Sequence, residues 1–258
     1  MVEMTRYEPG TFCWVELATS DAEAAKRFYT SLFGWTFDDR PGGGGIYTLL
    51  LRNGKEVAAL YGMSPQEGGI PPHWNSYVSV EKADDAASRA RELGGSVLMG
   101  PFDVMEHGRM AVVQDPAGAT FSVWEPKAHI GARIVNEPGS FCWNELYTTD
   151  PRRASDFYSK LFGWTREARH MDFGDYVIFE MSGRMMAGMM QVPKEWGPVP
   201  PHWLVYFAVD DCDATVAKAR GLGAGVTVEP MDVESVGRFA LLTDPQRAGF
   251  AVIKFRTP

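Results

Sequence analysis

Long hydrophobic runs are absent from this sequence. Nowhere do about 18 apolar residues follow one another, so no segment is predicted to span a bilayer as a helix. The first residues, Met1-Val2-Glu3-Met4-Thr5-Arg6, show neither the basic nor the apolar region of a secretory leader, and a cytoplasmic location is expected. Cysteine is scarce: Cys13, Cys142 and Cys212 stand without CxxC spacing, which excludes the common zinc and dithiol patterns and predicts buried, reduced thiols. Positive charge is short as well. Lys and Arg number 25 against 33 Asp and Glu, and the net charge of -8 would repel phosphate backbones and anionic lipid, so neither nucleic acid nor a membrane is expected as a partner. No GxSxG elbow occurs. The Gly42-Gly43-Gly44-Gly45 run leads into a strand pattern rather than Lys-Ser/Thr and a helix, so it reads as a flexible loop tip and not a phosphate loop.

What the chain does have is an internal duplication. Pro9-Gly10-Thr11-Phe12-Cys13-Trp14-Val15-Glu16-Leu17, continuing through Asp21 to Phe33-Gly34-Trp35, returns as Pro138-Gly139-Ser140-Phe141-Cys142-Trp143-Asn144-Glu145-Leu146, through Asp150 to Phe162-Gly163-Trp164. The alternation over Phe12 to Leu17 predicts a strand with Trp14 and Glu16 on one face and Cys13, Val15 and Leu17 on the other. A helix follows, with Asp21 as N-cap and Gly34 as the left-handed stop; Asp150-Pro151 and Gly163 repeat the signal. Ile46 to Leu51 and Glu56 to Met63 read as a hairpin across Asn53-Gly54, and Ser64 to Pro72 as a polar connection. A weaker copy of the opening comes next: a strand from Trp74 to Val80, a helix carrying Ala86, Ala87, Ala90 and Leu93, and strands at 96–99, 109–113 and 120–124 around the turn Asp115-Pro116-Ala117-Gly118. The second half repeats all of this at an offset of about 129 residues. Pro126 to Pro138 reads as a linker without periodicity. Two domains are expected, 1–128 and 132–258, each of two βαβββ modules in an α+β fold whose curved sheets form a trough with the helices on its outer side.

The strand, the helix ending Phe-Tyr-x-x-Leu-Phe-Gly-Trp, the His-Trp-x-x-Tyr strand and the closing Asp-Pro turn resemble the vicinal oxygen chelate superfamily of glyoxalases, extradiol dioxygenases, and fosfomycin- and bleomycin-resistance proteins. Within it, the chain is most similar to the two-domain actinobacterial glyoxalase/bleomycin-resistance-like group, which includes the mycobacterial culture-filtrate antigen. The resemblance implies a tandem duplication of that fold. It also implies a divalent metal held by His, Gln or Glu at three strand positions. Those positions carry Trp14, Asn75 and Ser122 in the first half and Trp143, Leu204 and Ala251 in the second, and neither set suits a transition metal. No cofactor is therefore expected. Were a divalent metal held, the fallback ligands would be Glu16 with His73 and Glu145 with His202, which lie in phase on the same strands.

The trough faces are expected to carry Trp14, Glu16, Asn75, Tyr77, Ser122 and Trp124 in the first half, and Trp143, Glu145, Leu204, Tyr206, Ala251 and Ile253 in the second. Flat aromatic faces beside a few polar groups suit a planar or amphipathic small molecule, although tryptophans also simply fill cores. Met181, Met185, Met186, Met189 and Met190 crowd the second half and suit either reading. Arg109 and Arg238 read as partners of carboxylates more than as ligand clamps. The leading expectation is a metal-independent small-molecule binding protein, monomer or homodimer. The alternative is a lyase, isomerase or hydroxylase-like enzyme with Glu16 or Glu145 as base, and a third is a protein whose troughs are packed shut by their own side chains.

Overall fold

The structure is a computed structural model that describes residues 3–42, 45–64, 69–171, 174–193 and 196–256. The apex of the glycine run, at 43 and 44, and the centre of the 64–72 connection, at 65–68, lie outside the described residues. In the first half, β1 (Phe12–Thr19), α1 (Ala22–Phe33), β2 (Thr36–Gly42), β3 (Gly45–Arg52) and β4 (Lys55–Gly62) form one module. The second module is β5 (His73–Ser79), α2 (Ala83–Glu92), β6 (Ser96–Val104), β7 (Gly108–Gln114) and β8 (Thr120–Pro126). The other half repeats the order as β9 (Phe141–Thr148), α3 (Pro151–Phe162), β10 (Thr165–Met171), β11 (Gly174–Met181), β12 (Arg184–Gln191), β13 (His202–Ala208), α4 (Cys212–Gly221), β14 (Gly225–Val233), β15 (Gly237–Thr243) and β16 (Gly249–Phe255). Each half makes an eight-stranded sheet, ordered β2-β3-β4-β1-β5-β8-β7-β6 and β10-β11-β12-β9-β13-β16-β15-β14. The fold is α+β with four modules, and modules pair within a half through antiparallel β1–β5 and β9–β13.

The helix signals act as the sequence implies. Asp21 accepts from Ala24 N at 2.9 Å and Asp150 from Arg153 N at 3.0 Å, and Gly34 and Gly163 end their helices at φ of 71° and 73°. Two elements, β2 and its repeat mate β10, have no apolar pattern to announce them. β2 is exposed along most of its length and is held from beneath by the nearly buried Lys26, whose Nζ bonds Asp39 Oδ2 at 2.8 Å and lies 4.6 Å from the centre of the Phe37 ring.

The helices do cover one face of each sheet, but they also join the halves into one core. A single cluster of buried side chains runs from Phe12 and Tyr29 through Trp74 and Phe121 to Phe207 and Phe250. The polar links across it are reciprocal. Tyr29 Oη donates to Asp244 Oδ2 at 3.1 Å, and Tyr158 Oη to Asp115 Oδ2 at 3.0 Å; each tyrosine in turn accepts from an indole, Trp74 or Trp203, at 2.9 Å. The other oxygen of each aspartate caps its own turn, Asp115 Oδ1 accepting from the amides of Ala117, Gly118 and Ala119. Trp35 Nε1 reaches Gly139 O at 2.8 Å and Trp164 Nε1 reaches Gly10 O at 2.9 Å. The repeated Asp-Pro turn of one half is thus fastened to the repeated helix of the other.

Candidate functional site

On the face away from the helices, the strand register brings the expected trough residues together. Glu16 lies opposite Asn75, Trp14 opposite Tyr77, and Tyr77 beside Ser122; in the second half Glu145 lies opposite Leu204, Trp143 opposite Tyr206, and Tyr206 beside Ala251. Ser79 pairs with Trp124 and Ala208 with Ile253, which closes the row.

Each glutamate is the centre of a tyrosine cluster. Glu16 Oε2 accepts from Tyr47 Oη at 2.6 Å and Oε1 from Tyr77 Oη at 2.9 Å, while Trp14 Nε1 donates to Tyr47 Oη at 3.3 Å. Glu145 repeats this with Tyr176 at 2.6 Å, Tyr206 at 2.9 Å, and Trp143 Nε1 on Tyr176 Oη at 3.3 Å. Tyr47 sits on β3 and reaches across β4 to a residue of β1, so the sheet curls toward this face. Burying a carboxylate among indoles costs several kcal/mol unless donors meet it. Here the protein supplies them. Desolvation nonetheless pushes the Glu145 carboxyl above its ordinary value, against the lowering pull of Tyr176, Tyr147 and Tyr206. Burial beside the carboxylates holds the hydroxyls of Tyr47, Tyr77, Tyr176 and Tyr206 protonated, well above the ordinary phenol value.

The two troughs differ in filling. In the second, Glu145 is buried, and Tyr147, Leu204, Tyr206, Leu241, Ala251 and Ile253 form a buried cluster of their own with Val192 from beyond β12. Trp196 and His202 pack on Tyr147, the imidazole stacked at 5.2 Å and 10°. In the first, Asn75 Nδ2 donates to Ser122 Oγ at 2.8 Å, and Glu16, Asn75 and Tyr47 keep partial exposure between the indoles of Trp14 and Trp124. The linker closes the Trp14 end. His129 sets its ring edge-on to Trp14 at 4.7 Å, its Nδ1 lies 3.4 Å from Glu56 Oε2, and its carbonyl accepts from Trp124 Nε1 at 2.9 Å. That contact holds the Glu56 carboxyl below its ordinary value.

Sequence reasoning missed Tyr47, Tyr61, Tyr147, Tyr176 and His129. Tyr47 and Tyr176 are repeat mates, so the 129-residue offset itself carried a signal. The third tyrosine of each cluster carried none, because it arrives on a different strand: Tyr61 of β4 opposite Ala18 in the first half, Tyr147 of β9 opposite Met190 in the second.

The positions where the superfamily's metal would sit hold an indole and two hydrogen-bonded neutral groups in one half and an indole and two aliphatic groups in the other, so the donor set does not fit a transition metal. The fallback histidines each lie two residues along the strand from the partner of the glutamate. Their Nδ1 atoms lie 2.9 Å from the carbonyls of Pro71 and Pro200. Among the described residues no three His, Cys, Asp or Glu side chains gather as a metal cluster. Cys13 and Cys142 turn their thiols to the carbonyls of Tyr77 and Tyr206, and burial raises both far above the ordinary thiol value. Arg109 is taken by Asp84 and Asp103, and Arg238 by Asp213 and Asp232, which is the carboxylate-pairing role.

Paired modules, a curled sheet in each half and a strand-borne site on the concave face define the vicinal oxygen chelate architecture in tandem. The chain belongs to the Glyoxalase/Bleomycin resistance protein/Dioxygenase superfamily, whose pattern matches residues 11–123 and again 133–252. It is 45% identical over 258 residues to the protein CFP32 of Mycobacterium tuberculosis, covering 98% of each chain. It is 40% identical over 267 residues to the anthracycline biosynthesis protein DnrV of Streptomyces peucetius, covering 98% of this chain and 96% of that protein. In fold it matches the Mn(II)-bound glyoxalase from Novosphingobium aromaticivorans with a TM-score of 0.68 at 14% identity, over 95% of this chain and 82% of the other. It matches homoprotocatechuate 2,3-dioxygenase from Brevibacterium fuscum, in complex with 3,4-dihydroxyphenylacetate, with a TM-score of 0.68 at 16% identity, over 99% of this chain and 84% of the other. At such identities the likeness to the solved structures concerns the fold alone. No described helix is long and apolar enough to cross a membrane.

Proposed function

We propose that the protein binds a planar aromatic or amphipathic small molecule in its first trough, without a metal. One observation carries the reading: of two troughs built on the same plan, only the first keeps partly exposed polar groups, Glu16 and Asn75, over the buried hydroxyl of Ser122 and between two indoles, while the second is occupied by its own side chains. The floor is rich in acceptors. Asn75 commits one of its two amide hydrogens to Ser122, which leaves the amide oxygen beside a carboxylate, and such a surface suits a ligand carrying hydroxyl or amino donors. Similarity to DnrV, named for anthracycline biosynthesis, supports a polycyclic aromatic ligand. In the second half Glu145 is a packing residue.

The test transplants the second trough's residues into the first. Asn75→Leu with Ser122→Ala should abolish quenching of tryptophan fluorescence by a bound polycyclic aromatic phenol while leaving the melting temperature within a few degrees. Undiminished quenching in that variant would refute the reading. An enzymatic reading, with Glu16 as base, is favoured by the same partial exposure of its carboxylate. Turnover that disappears in Glu16→Gln while binding persists would establish it. Elemental analysis of dialysed protein checks the metal-independent part: near-stoichiometric zinc, iron, nickel or manganese would overturn it.

A further inference from the structure

A bulge opens the start of the central strand in each half. The register of β1 on β5 steps between Trp14 and Phe12, and that of β9 on β13 between Trp143 and Phe141, so Cys13 and Cys142 are the extra residues. In the first half the carbonyl of Cys13 accepts from Ala132 N at 2.8 Å, and the next amide, Arg133 N, reaches Glu56 O on β4 at 2.7 Å. Residues 131–133 therefore lie as a short extended rung in the fork between β1 and β4. The fit is close. A Cβ on Gly131, whose φ is +112°, would come within 2.3 Å of Cys13 O, and Ala132 and Ile134 are completely buried.

The second half has the same fork, between the starts of β9 and β12, and no described residue makes the equivalent rung. The start of the segment before β1, which corresponds in the repeat to the linker, is drawn to the first half, Met4 N donating to Arg133 O at 2.9 Å and Glu3 pairing with Lys55 at 3.0 Å, and further along Glu8 pairs with Arg184 at the rim of the second fork. A groove of about 400 Å³ remains, lined among others by Tyr7, Phe12, Cys142, Trp143, Met185 and Met186. Exposure records the difference. Trp14 and Cys13 are 3% and 0% exposed, whereas Trp143 and Cys142 are partly exposed and Met185, the counterpart of Glu56, is 57% exposed.

We propose that this fork is a docking site for an extended peptide of a partner protein, which would give the second half the rung that residues 131–133 give the first. The chain's own occupant of the first fork defines the chemistry. Two consecutive backbone N–H groups would meet Cys142 O and Met185 O; a residue without a side chain passes the bulged cysteine, a small residue follows, and a bulky aliphatic residue fills the place of Ile134. Met185 stands where Glu56 meets His129, so an aliphatic residue replaces the histidine. Main-chain hydrogen bonds give such strand addition its affinity, and the side-chain pockets its selectivity.

The test titrates the isotopically labelled full-length protein with an acetylated, amidated heptapeptide of sequence LIGARIV. Saturable amide shifts at Cys142, Trp143 and Met185 are expected, with none at Cys13 or Glu56. Replacing the peptide's glycine by valine, or introducing Met185→Glu at that exposed position, should each weaken binding by at least about tenfold, with the variant's melting temperature unchanged. Absence of saturation up to about 1 mM, shifts centred on the first trough, or equal affinity of the valine peptide would each overturn the proposal.

Discussion

Glu16 and Glu145 stand inside strands whose other inward residues are mostly aromatic, and tyrosine hydroxyls decide whether they can be there. Tyr206→Phe removes one of the donors that offset the burial of Glu145. A hydrogen bond to a charged group contributes about 1.5–3 kcal/mol, so this variant should lose stability of that order at pH 7. Its deficit should shrink as the pH falls and Glu145 takes up a proton, because a protonated carboxyl needs the donor less. Chemical denaturation at pH 7 and pH 5 checks both parts, and an equal deficit at the two values would count against the account. Glu16→Gln should lower the melting temperature as well, since one amide face must then meet a tyrosine hydroxyl that was donating to it. The carboxylates themselves were legible as inward-facing charges in an apolar strand. Their partners were not, because Tyr47 approaches from two strands away and a strand pattern reports faces, not reach.

At the scale of elements, the strands and helices that bury one face were readable from period and caps, and the ones that were not had no such face to show. β2 exposes Phe37 and rests on a single lysine, so its sequence Thr-Phe-Asp-Asp-Arg-Pro-Gly carries no alternation. The linker looked structureless for the same reason, yet Ala132 and Ile134 are as buried as any strand residue. Its geometry separates two glycines that look alike in sequence. Gly34→Ala places a Cβ in open space and should cost only about 1 kcal/mol, for the left-handed φ alone. Gly131→Ala drives a Cβ into the Cys13 carbonyl and should cost at least about 2–3 kcal/mol, with a red-shifted emission from Trp14 as the rung lifts. Equal melting temperatures for the two variants would show that the linker does not hold the fork.

For the whole molecule, pH dependence follows from two opposed sets of carboxyls. Burial raises Asp115, Asp244 and Glu145, so these groups cost stability when charged, and folding is favoured as the pH falls through the window between their raised folded values and the ordinary carboxylate range. Glu56, Asp84, Asp103 and Asp213 are lowered, chiefly by their hydrogen-bonded His129, Arg109, Lys127 and Arg238, and the stability they contribute is lost as the pH drops below the ordinary value. Melting temperature should therefore rise as the pH falls from neutrality toward the ordinary carboxylate range and drop again below it; a melting temperature that does not rise on mild acidification would contradict the cost assigned to the buried aspartates. The duplication was plain in the sequence, but the sharing of one core between its copies was not, because identical faces give no hint of whether they turn to solvent or to each other. That sharing has a consequence for synthesis. The hydroxyl of Tyr29 waits for Asp244, a carboxylate 215 positions later, and the Trp35 indole for the carbonyl of Gly139. With translation at about 5–20 residues per second, the first half spends on the order of ten seconds outside the ribosome with Phe28, Tyr29 and Phe33 of α1 lacking the cover of Phe207 and Phe250. Its nascent chain is thus a client for whatever shields apolar surface in the cell, and its aggregation on the ribosome should be set by elongation speed across the second copy more than by the stability of the finished protein.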